Sequence, residues 1–288
     1  MNTLVNSQSM QPTLFNVLKR RSIFFFAGGL ISAAIAVGIA FMIPKQWPAT
    51  LLIQIGQVGG AANLLTDPNS VIQRIKFPGF VNQVLQSQNL PIDESISTQT
   101  ALIKKSLNAT IAKQGYLIEM TVKGHSPDEA KEKLMAAFRL LQNEHAQLLT
   151  PSIVRLKKNL EDARSSLKKI DDERQAILDP INRAKTSNNI ERKFSESILL
   201  TSMLKSNDSE ARIFRDQINA LEEQLSPYRT FNTKAVTEIY VPKNSIYPKK
   251  SIAAILGFLF GVMIVGTWIF IRDKELRDAF NYSFQETA

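Results

Sequence analysis

The chain has 288 residues, a formal net charge of +9 and no cysteine, which excludes a disulfide scaffold, a thiolate metal site and a cysteine nucleophile. Its two histidines, His125 and His145, are too few for a multi-histidine metal centre. Hydrophobic residues make up 44%, as in an ordinary soluble protein, but they are unevenly placed.

Residues 22–43 and 251–271 carry no charge. Each is long enough to cross a hydrocarbon core as a helix, which takes roughly 20 apolar residues. The first run follows Lys19, Arg20 and Arg21, as a signal peptide would, but it is longer than the roughly 7–15 apolar residues of a signal sequence. Those three basic residues precede the first span and only Lys45 follows closely; Arg272, Lys274 and Arg277 follow the second. Lys243, Lys249 and Lys250 stand on the opposite side, but the first span sets orientation and a long intervening segment translocates regardless of charge. The expected topology places both termini in the cytoplasm and residues 44–250 in the periplasm, a space that suits a cysteine-free chain. That segment holds 29 basic and 22 acidic residues, a modest excess spread through mixed-sign stretches. It is compatible with an anionic partner such as a lipid head group or acidic sugar, and the expected topology argues against nucleic acid.

The expected division is a cytoplasmic tail (1–21), a first transmembrane helix (22–43), a periplasmic α/β base (44–150), a helical hairpin (151–227), a return strand and proline-containing junction (228–250), a second transmembrane helix (251–271) and a cytoplasmic tail (272–288). Within the base, residues 49–57 (ATLLIQIGQ) read as a strand ending near Gly59-Gly60. Residues 67–88 combine the turn pairs Asp67-Pro68 and Pro78-Gly79 with helical spacing, which predicts two short helices. Residues 108–113 and 116–123 flank Gln114-Gly115 as a β-hairpin, with Tyr116, Ile118, Met120 and Val122 on the buried face. Ser126-Pro127-Asp128-Glu129 starts a helix, with Ser126 as cap, Pro127 in the first turn and Glu129 completing a capping box. His125 in the loop and His145 on the helix have no ligand cluster around them and read as structural residues.

After Pro151 the spacing becomes that of a heptad seam. Ile153, Leu156, Leu160, Ala163, Leu167, Ile170, Arg174, Ile177, Ile181 and Ala184 alternate three and four apart, with Arg174 the polar member. Ala211, Phe214, Ile218, Leu221 and Leu225 form a second seam, and Ile190, Phe194 and Ile198 lie between the two. Asp179-Pro180, residues 185–189 (KTSNN) and residues 206–209 (SNDS) interrupt the pattern. Arms over 152–185 and 190–226 would be about 51 and 55 Å long, a match that favours an antiparallel hairpin with its tip between Pro180 and Asn189. Residues 235–241 then return as a strand beside the base. The paired carboxylates Asp171-Asp172 and Glu222-Glu223 interleave with opposite charges and read as solvated helix faces.

The chain re-enters the membrane through Pro242 and Pro248, whose fixed φ favours extended backbone, followed by Lys249 and Lys250 at head-group level. Ala253, Gly257 and Gly261 recur every four residues as a small-residue stripe; Gly29, Ala33, Ala34 and Gly38 give the first span similar faces. Pro242, Pro248, Lys249, Lys250, Gly257 and Gly261 are therefore the candidate functional junction. No Gly-x-x-x-x-Gly-Lys-Ser/Thr, Gly-x-Ser-x-Gly or His-Glu-x-x-His motif occurs, so no catalytic residue, cofactor site or metal site is assigned.

Several of these runs point one way. Residues 14–21 (LFNVLKRR), residues 49–57, residues 122–138 (VKGHSPDEAKEKLMAAF) and, most specifically, residues 242–261 give a chain that resembles, over nearly its full length, the polysaccharide co-polymerases, the Wzz-type chain-length determinants. The resemblance implies a membrane α+β protein in which two transmembrane helices flank a periplasmic α/β base carrying a long antiparallel helical hairpin. It also implies a non-enzymatic, ring-forming homo-oligomer of the inner membrane that regulates surface-polysaccharide length, O-antigen being the expected polymer, with a Wzy-type polymerase and lipid-linked polysaccharide as partners. The alternative is a periplasm-spanning adaptor or coiled-coil scaffold of a transport or sensory complex. The second span argues against the adaptor, and the 17 residues after it are too few for a sensory output domain.

Overall fold

In the computed structural model the described residues are 14–60, 62–112, 117–184 and 190–272. They separate into a membrane unit, Met1–Trp47 with Lys243–Ala288, and a large unit, Pro48–Pro242. The sequence-predicted features at Gln114-Gly115 and Tyr116, the tip at 185–189 and the tail residues 1–13 and 273–288 lie outside the described residues, as do the side chains of Ile181, Ala184, Ile190 and Phe194.

In the large unit, β1 (Trp47–Gln54) is an inner strand of a four-stranded sheet ordered β2-β3-β1-β4, with β2 at Asn108–Ile111, β3 at Leu117–Gly124 and β4 at Lys234–Ala235. β2 and β3 pair antiparallel, with Ala109 opposite Met120. Alternation puts Ala49, Leu51 and Ile53 of β1 and Ile118, Met120 and Val122 of β3 on one buried face. Helices α2 (Pro68–Lys76), α3 (Pro78–Ser87), α4 (Thr98–Ser106) and the start of α5 (Pro127–Ala184) contribute Val71, Ile75, Phe80, Leu85, Ile103, Leu134 and Leu141 to the same core. α2 and α3 are the two short helices expected over 67–88; Asp67 caps the first by accepting from the Asn69 and Ser70 amides. α4 is an addition that the sequence reading lacked; Ser97 caps it, and its weak apolar periodicity leaves only Thr100 and Ile103 buried.

α5 starts where its cap signal lies. The Glu129 amide donates to Ser126 Oγ, while the Glu129 carboxylate accepts from the His125 amide, one residue earlier than a standard box, and also pairs with the buried Lys133. The helix does not change at Pro151 or stop at Pro180: it is one rod of 58 residues, about 87 Å long. An internal proline costs a helix about 3 kcal/mol. Apolar packing on both sides outweighs this at Pro151: Leu134, Leu141 and Leu149 are buried before it, and Ala163 and Ile170 after it. α6 (Ile190–Leu225) likewise runs straight through residues 206–209, because Asn207 occupies a seam position. Asn207 is buried and its Nδ2 donates to the Ile170 carbonyl at 2.8 Å, a polar register mark in an otherwise apolar seam. Arg174, the seam's other polar member, pairs with Asp208 at 3.2 Å. The carboxylates read as solvated faces also cross the hairpin, with Asp171 near Arg215 at 3.7 Å and Glu222 with Arg164 at 2.6 Å. At this exposure such pairs contribute about 0–1 kcal/mol each, so the seam holds the hairpin. Ile198 is helical but 57% exposed, off the seam.

The return segment is less regular than the expected strand over 235–241. Ala235 pairs with Ile53 and Lys234 with Gln54, and isolated bridges join Gln57 to Phe231 and Thr50 to Tyr240. Between these, the return segment has two residues more than β1, and the Leu52 amide donates to Thr237 Oγ1 instead of to a ladder carbonyl. The backbone crosses close at Gly56, where a Cβ would stand 2.7 Å from the Phe231 carbonyl oxygen. The Gly56 amide donates to Thr233 Oγ1 at 2.9 Å, and the Thr233 hydroxyl is hydrogen-bonded to His145 Nδ1 at 2.5 Å. Gln142 Nε2 donates to the Thr233 carbonyl, and Asn232 Nδ2 to the Gln142 carbonyl. His145 thus fastens α5 to the return segment as a neutral imidazole.

Burial holds the His145 pKa below its ordinary value, with neighbouring Glu144 acting the other way. The unfolded chain protonates this group near pH 6.5 and the fold resists it, so its stabilising contribution is whole above about pH 6.5 and is lost as pH falls through the lowered native value. The stability advantage of wild type over His145→Gln is therefore expected to shrink between pH 7.5 and pH 5.5, measured by thermal unfolding of the full chain in detergent. An advantage independent of pH would contradict this role.

Candidate functional site

The membrane unit consists of α1 (Leu14–Met42), α7 (Lys250–Arg272) and the short segments that join them to the large unit. Two helical stretches, Ser22–Met42 and Lys250–Ile269, are long and apolar enough to cross a membrane, and most of their surface is exposed. Lipid tails are as apolar as leucine, so two such helices gain little by burying apolar area on each other and associate through close backbone approach. Glycine allows this here. A Cβ at Gly257 would stand 2.5 Å from Ala36 Cβ and 3.1 Å from Ala33 Cα; one at Gly261 would stand 2.5 Å from the Gly28 carbonyl oxygen. From the other helix, Gly28 abuts Val265 and Gly29 abuts the Phe258 ring. Gly28, which the four-residue spacing did not single out, is thus part of the contact. Gly38, placed on a similar face by sequence, is not: a Cβ there would meet nothing within 4 Å.

Where these helices end, residues 43–47 and 243–250 run side by side. The Gln46 amide donates to the Tyr247 carbonyl at 3.1 Å and the Ile246 amide to the Gln46 carbonyl at 3.0 Å. Tyr247-Pro248 is a cis peptide bond. The Lys250 ammonium lies 3.8 Å from the centre of the Phe41 ring, a cation–π contact. Pro248 and Lys250 line a cavity of about 250 Å³ with Phe41, Lys45, Trp47 and Lys243. The trio Lys45, Trp47 and Lys243 was outside the sequence-derived junction; only their closeness to the span ends hinted at them.

The six junction residues therefore do not form one cluster. Pro248 and Lys250 share the cavity, Lys249 is exposed outside its lining, Gly257 and Gly261 lie on the contact with α1, and Pro242 belongs to the large unit. Among the described residues no three His, Asp or Glu side chains are grouped to hold a metal ion. The larger groove, about 520 Å³ on the large unit, mixes Asp128 and Glu132 with Lys131 and Arg139, so its charge selects no one ligand class.

The family model described as "Chain length determinant protein", Wzz, matches residues 13–190, more than half of the chain. The chain belongs to the Wzz family. Among solved structures it is similar to a full-length bacterial polysaccharide co-polymerase, at 15% identity and a TM-score of 0.37, covering 91% of this chain and 96% of that one. It is also similar to the Shigella flexneri lipopolysaccharide O-antigen chain-length regulator WzzBSF, at 13% identity and a TM-score of 0.22, over 69% of this chain and 99% of that one. A third is a Wzz dodecamer fitted to a cryo-EM map, at 15% identity and a TM-score of 0.25, over 69% and 98%. No curated protein sequence matches. Membership of the Wzz family rests on the family model, and the fold agrees with it: two apolar helices at the ends of a Wzz chain, with a small sheet and a long helical hairpin between them.

The geometry of the spans gives a direct test. Gly257→Leu and Gly261→Leu each place a side chain where α1 backbone stands, an overpacking that costs about 1–3 kcal/mol. Each is expected to lower the thermal midpoint of the full chain in nanodiscs, while Gly38→Leu, which faces open space, leaves it unchanged. Equal behaviour of all three would show that the contact does not hold the spans.

Proposed function

We propose that this protein sets the length of a surface polysaccharide made by a Wzy-type polymerase, with lipopolysaccharide O-antigen as the polymer class, and that it acts as a scaffold rather than as a catalyst. The match of the chain length determinant family over residues 13–190 carries this reading. The fold supports the non-catalytic part. His145 is used in fastening Thr233, Lys133 is paired with Glu129, and Asp171 and Glu222 of the hairpin are exposed partners of arginine. A scaffold acts by where it holds its partners, so we assign the working region to the junction residues Pro242, Pro248, Lys249, Lys250, Gly257 and Gly261 and to lateral assembly of a ring-shaped homo-oligomer in the inner membrane, in contact with the lipid-linked polymer.

In a deletion strain, plasmid-borne Pro248→Ala, or Gly257→Leu combined with Gly261→Leu, is expected to leave the protein inserted and polysaccharide still made, but with the modal length lost or shifted to shorter chains on gels. An inactivated enzyme would abolish the product instead. Stably inserted variants with a wild-type length distribution would refute the junction's role. Both termini are placed in the cytoplasm, on the strength of Lys19, Arg20 and Arg21 before the first span. A periplasm-only reporter is thus expected to be silent when fused after residue 288 and active when inserted after residue 188; activity after residue 288 would reverse the assignment.

A further inference from the structure

The ends of α1 and α7 that face residues 43–249 carry charge with nothing to balance it. The first carboxylate side chain in the whole sequence is Asp67, and none occurs between Glu238 and Asp273. The lysines at these ends, Lys45, Lys243, Lys249 and Lys250, therefore have no acidic neighbour along the chain. Three of them line one cavity, Lys45 from the segment after α1, Lys243 from the segment before α7 and Lys250 from the first turn of α7. Lys45 and Lys243 are in no ion pair among the described residues. Lys250 rests on the face of Phe41, which orients its ammonium without neutralising it.

Two further features point to an occupant. Trp47 lines the same cavity, and its indole N–H is out of contact with solvent and meets no acceptor. A buried donor of this kind ordinarily finds a partner, because leaving it unpaired costs free energy. The lining is also two-sided in character, with Phe41 at the membrane end and the lysines, Asn244 and Ser245 around it. The three lysines are exposed and converge from two chain segments on one space. The partial positive charge at the α7 N-terminus adds to theirs. At about 250 Å³ the cavity is smaller than the roughly 300–1,000 Å³ of a site for a drug-sized molecule, and so suits a head group rather than a sugar chain.

We propose that this cavity binds the phosphoryl head group of an anionic lipid, with Lys45, Lys243 and Lys250 on the phosphate oxygens, the Trp47 indole N–H as a directional donor, and the first part of the lipid tail against Phe41. The shared chemistry is a phosphate ester on an apolar tail; a phospholipid and a lipid pyrophosphate both supply it. The inference uses the length-regulation reading only in taking α1 and α7 as membrane spans.

The test uses the full chain in phosphatidylcholine nanodiscs, offered phosphatidylglycerol, a prenyl pyrophosphate or free inorganic pyrophosphate in turn. Retained lipid is counted by native mass spectrometry, and occupancy is followed by Trp47 emission in a Trp268→Phe background. At least one of the two anionic lipids is expected to be retained in preference to phosphatidylcholine and to shift the Trp47 emission, and the one preferred identifies the source. Lys45→Gln and Lys243→Gln are each expected to weaken retention by about fivefold, the contribution of one lysine at a charged membrane surface. Arg272→Gln removes the same charge at the far end of α7 and is expected to leave retention unchanged. No preference over phosphatidylcholine, or lysine variants that retain lipid like wild type, would overturn the proposal. So would free pyrophosphate shifting Trp47 emission as strongly as either lipid, since the site would then select a soluble anion. None of these failures touches length regulation, which the gel reads separately.

Discussion

Close backbone approach between α1 and α7 is the constraint from which the membrane unit follows. In lipid there is no hydrophobic gain to hold two helices together, so the contact depends on what the side chains leave out. Gly257 and Gly261 sit against Ala33, Ala36 and Gly28 at distances that no added carbon could occupy without movement. That pairing fixes where Met42 and Lys250 stand relative to each other. With those ends fixed, residues 43–47 and 243–250 meet as paired backbone, Lys250 reaches the Phe41 ring, and three lysines from segments some two hundred residues apart line one cavity.

The large unit solves a different problem, that of anchoring a rod of 58 residues. Its first half is a core helix: Leu134, Phe138 and Leu141 close the apolar face of the sheet. Its second half is half of a coiled coil, held by a narrow seam with Ala163, Ile170, Ala211 and Leu221 buried. The two roles meet near His145, where the imidazole, Thr233 and the Gly56 amide tie helix, return segment and the end of β1 together. A neutral histidine serves there because burial disfavours the charged form.

For a chain-length determinant this division is informative. The membrane unit holds three lysines lining one cavity, an indole donor without an acceptor and glycines that set helix spacing, while the large unit holds further buried polar atoms without a partner, on Asn82, His125 and Asn207. The proposed scaffold role assigns the working contacts of the chain to this membrane unit.

Much of this was legible in the order of residues. Two uncharged runs give the spans because lipid imposes a length and forbids charge; the alternation of Ile118, Met120 and Val122 gives a half-buried strand; Ser126 to Glu129 gives the start of α5; and heptad spacing gives both arms of the hairpin. These are local or periodic signals, each imposed by one solvent boundary. The readings at Pro151 and at residues 206–209 went the other way, because local helix-breaking residues there are outweighed by packing contributed from other elements: the base and the seam carry α5 through the proline, and Asn207 finds its acceptor on Ile170 of the opposite arm. α4, with little periodicity, is held by its surroundings rather than by its own pattern. Tertiary structure alone decided that Gly28 and not Gly38 faces α7, and that Lys45, Trp47 and Lys243 share a space with Lys250. Periodicity tells which residues share a face of one helix; which face meets a partner, and which distant side chains then converge, depends on the rotation and approach of elements that only the folded chain fixes.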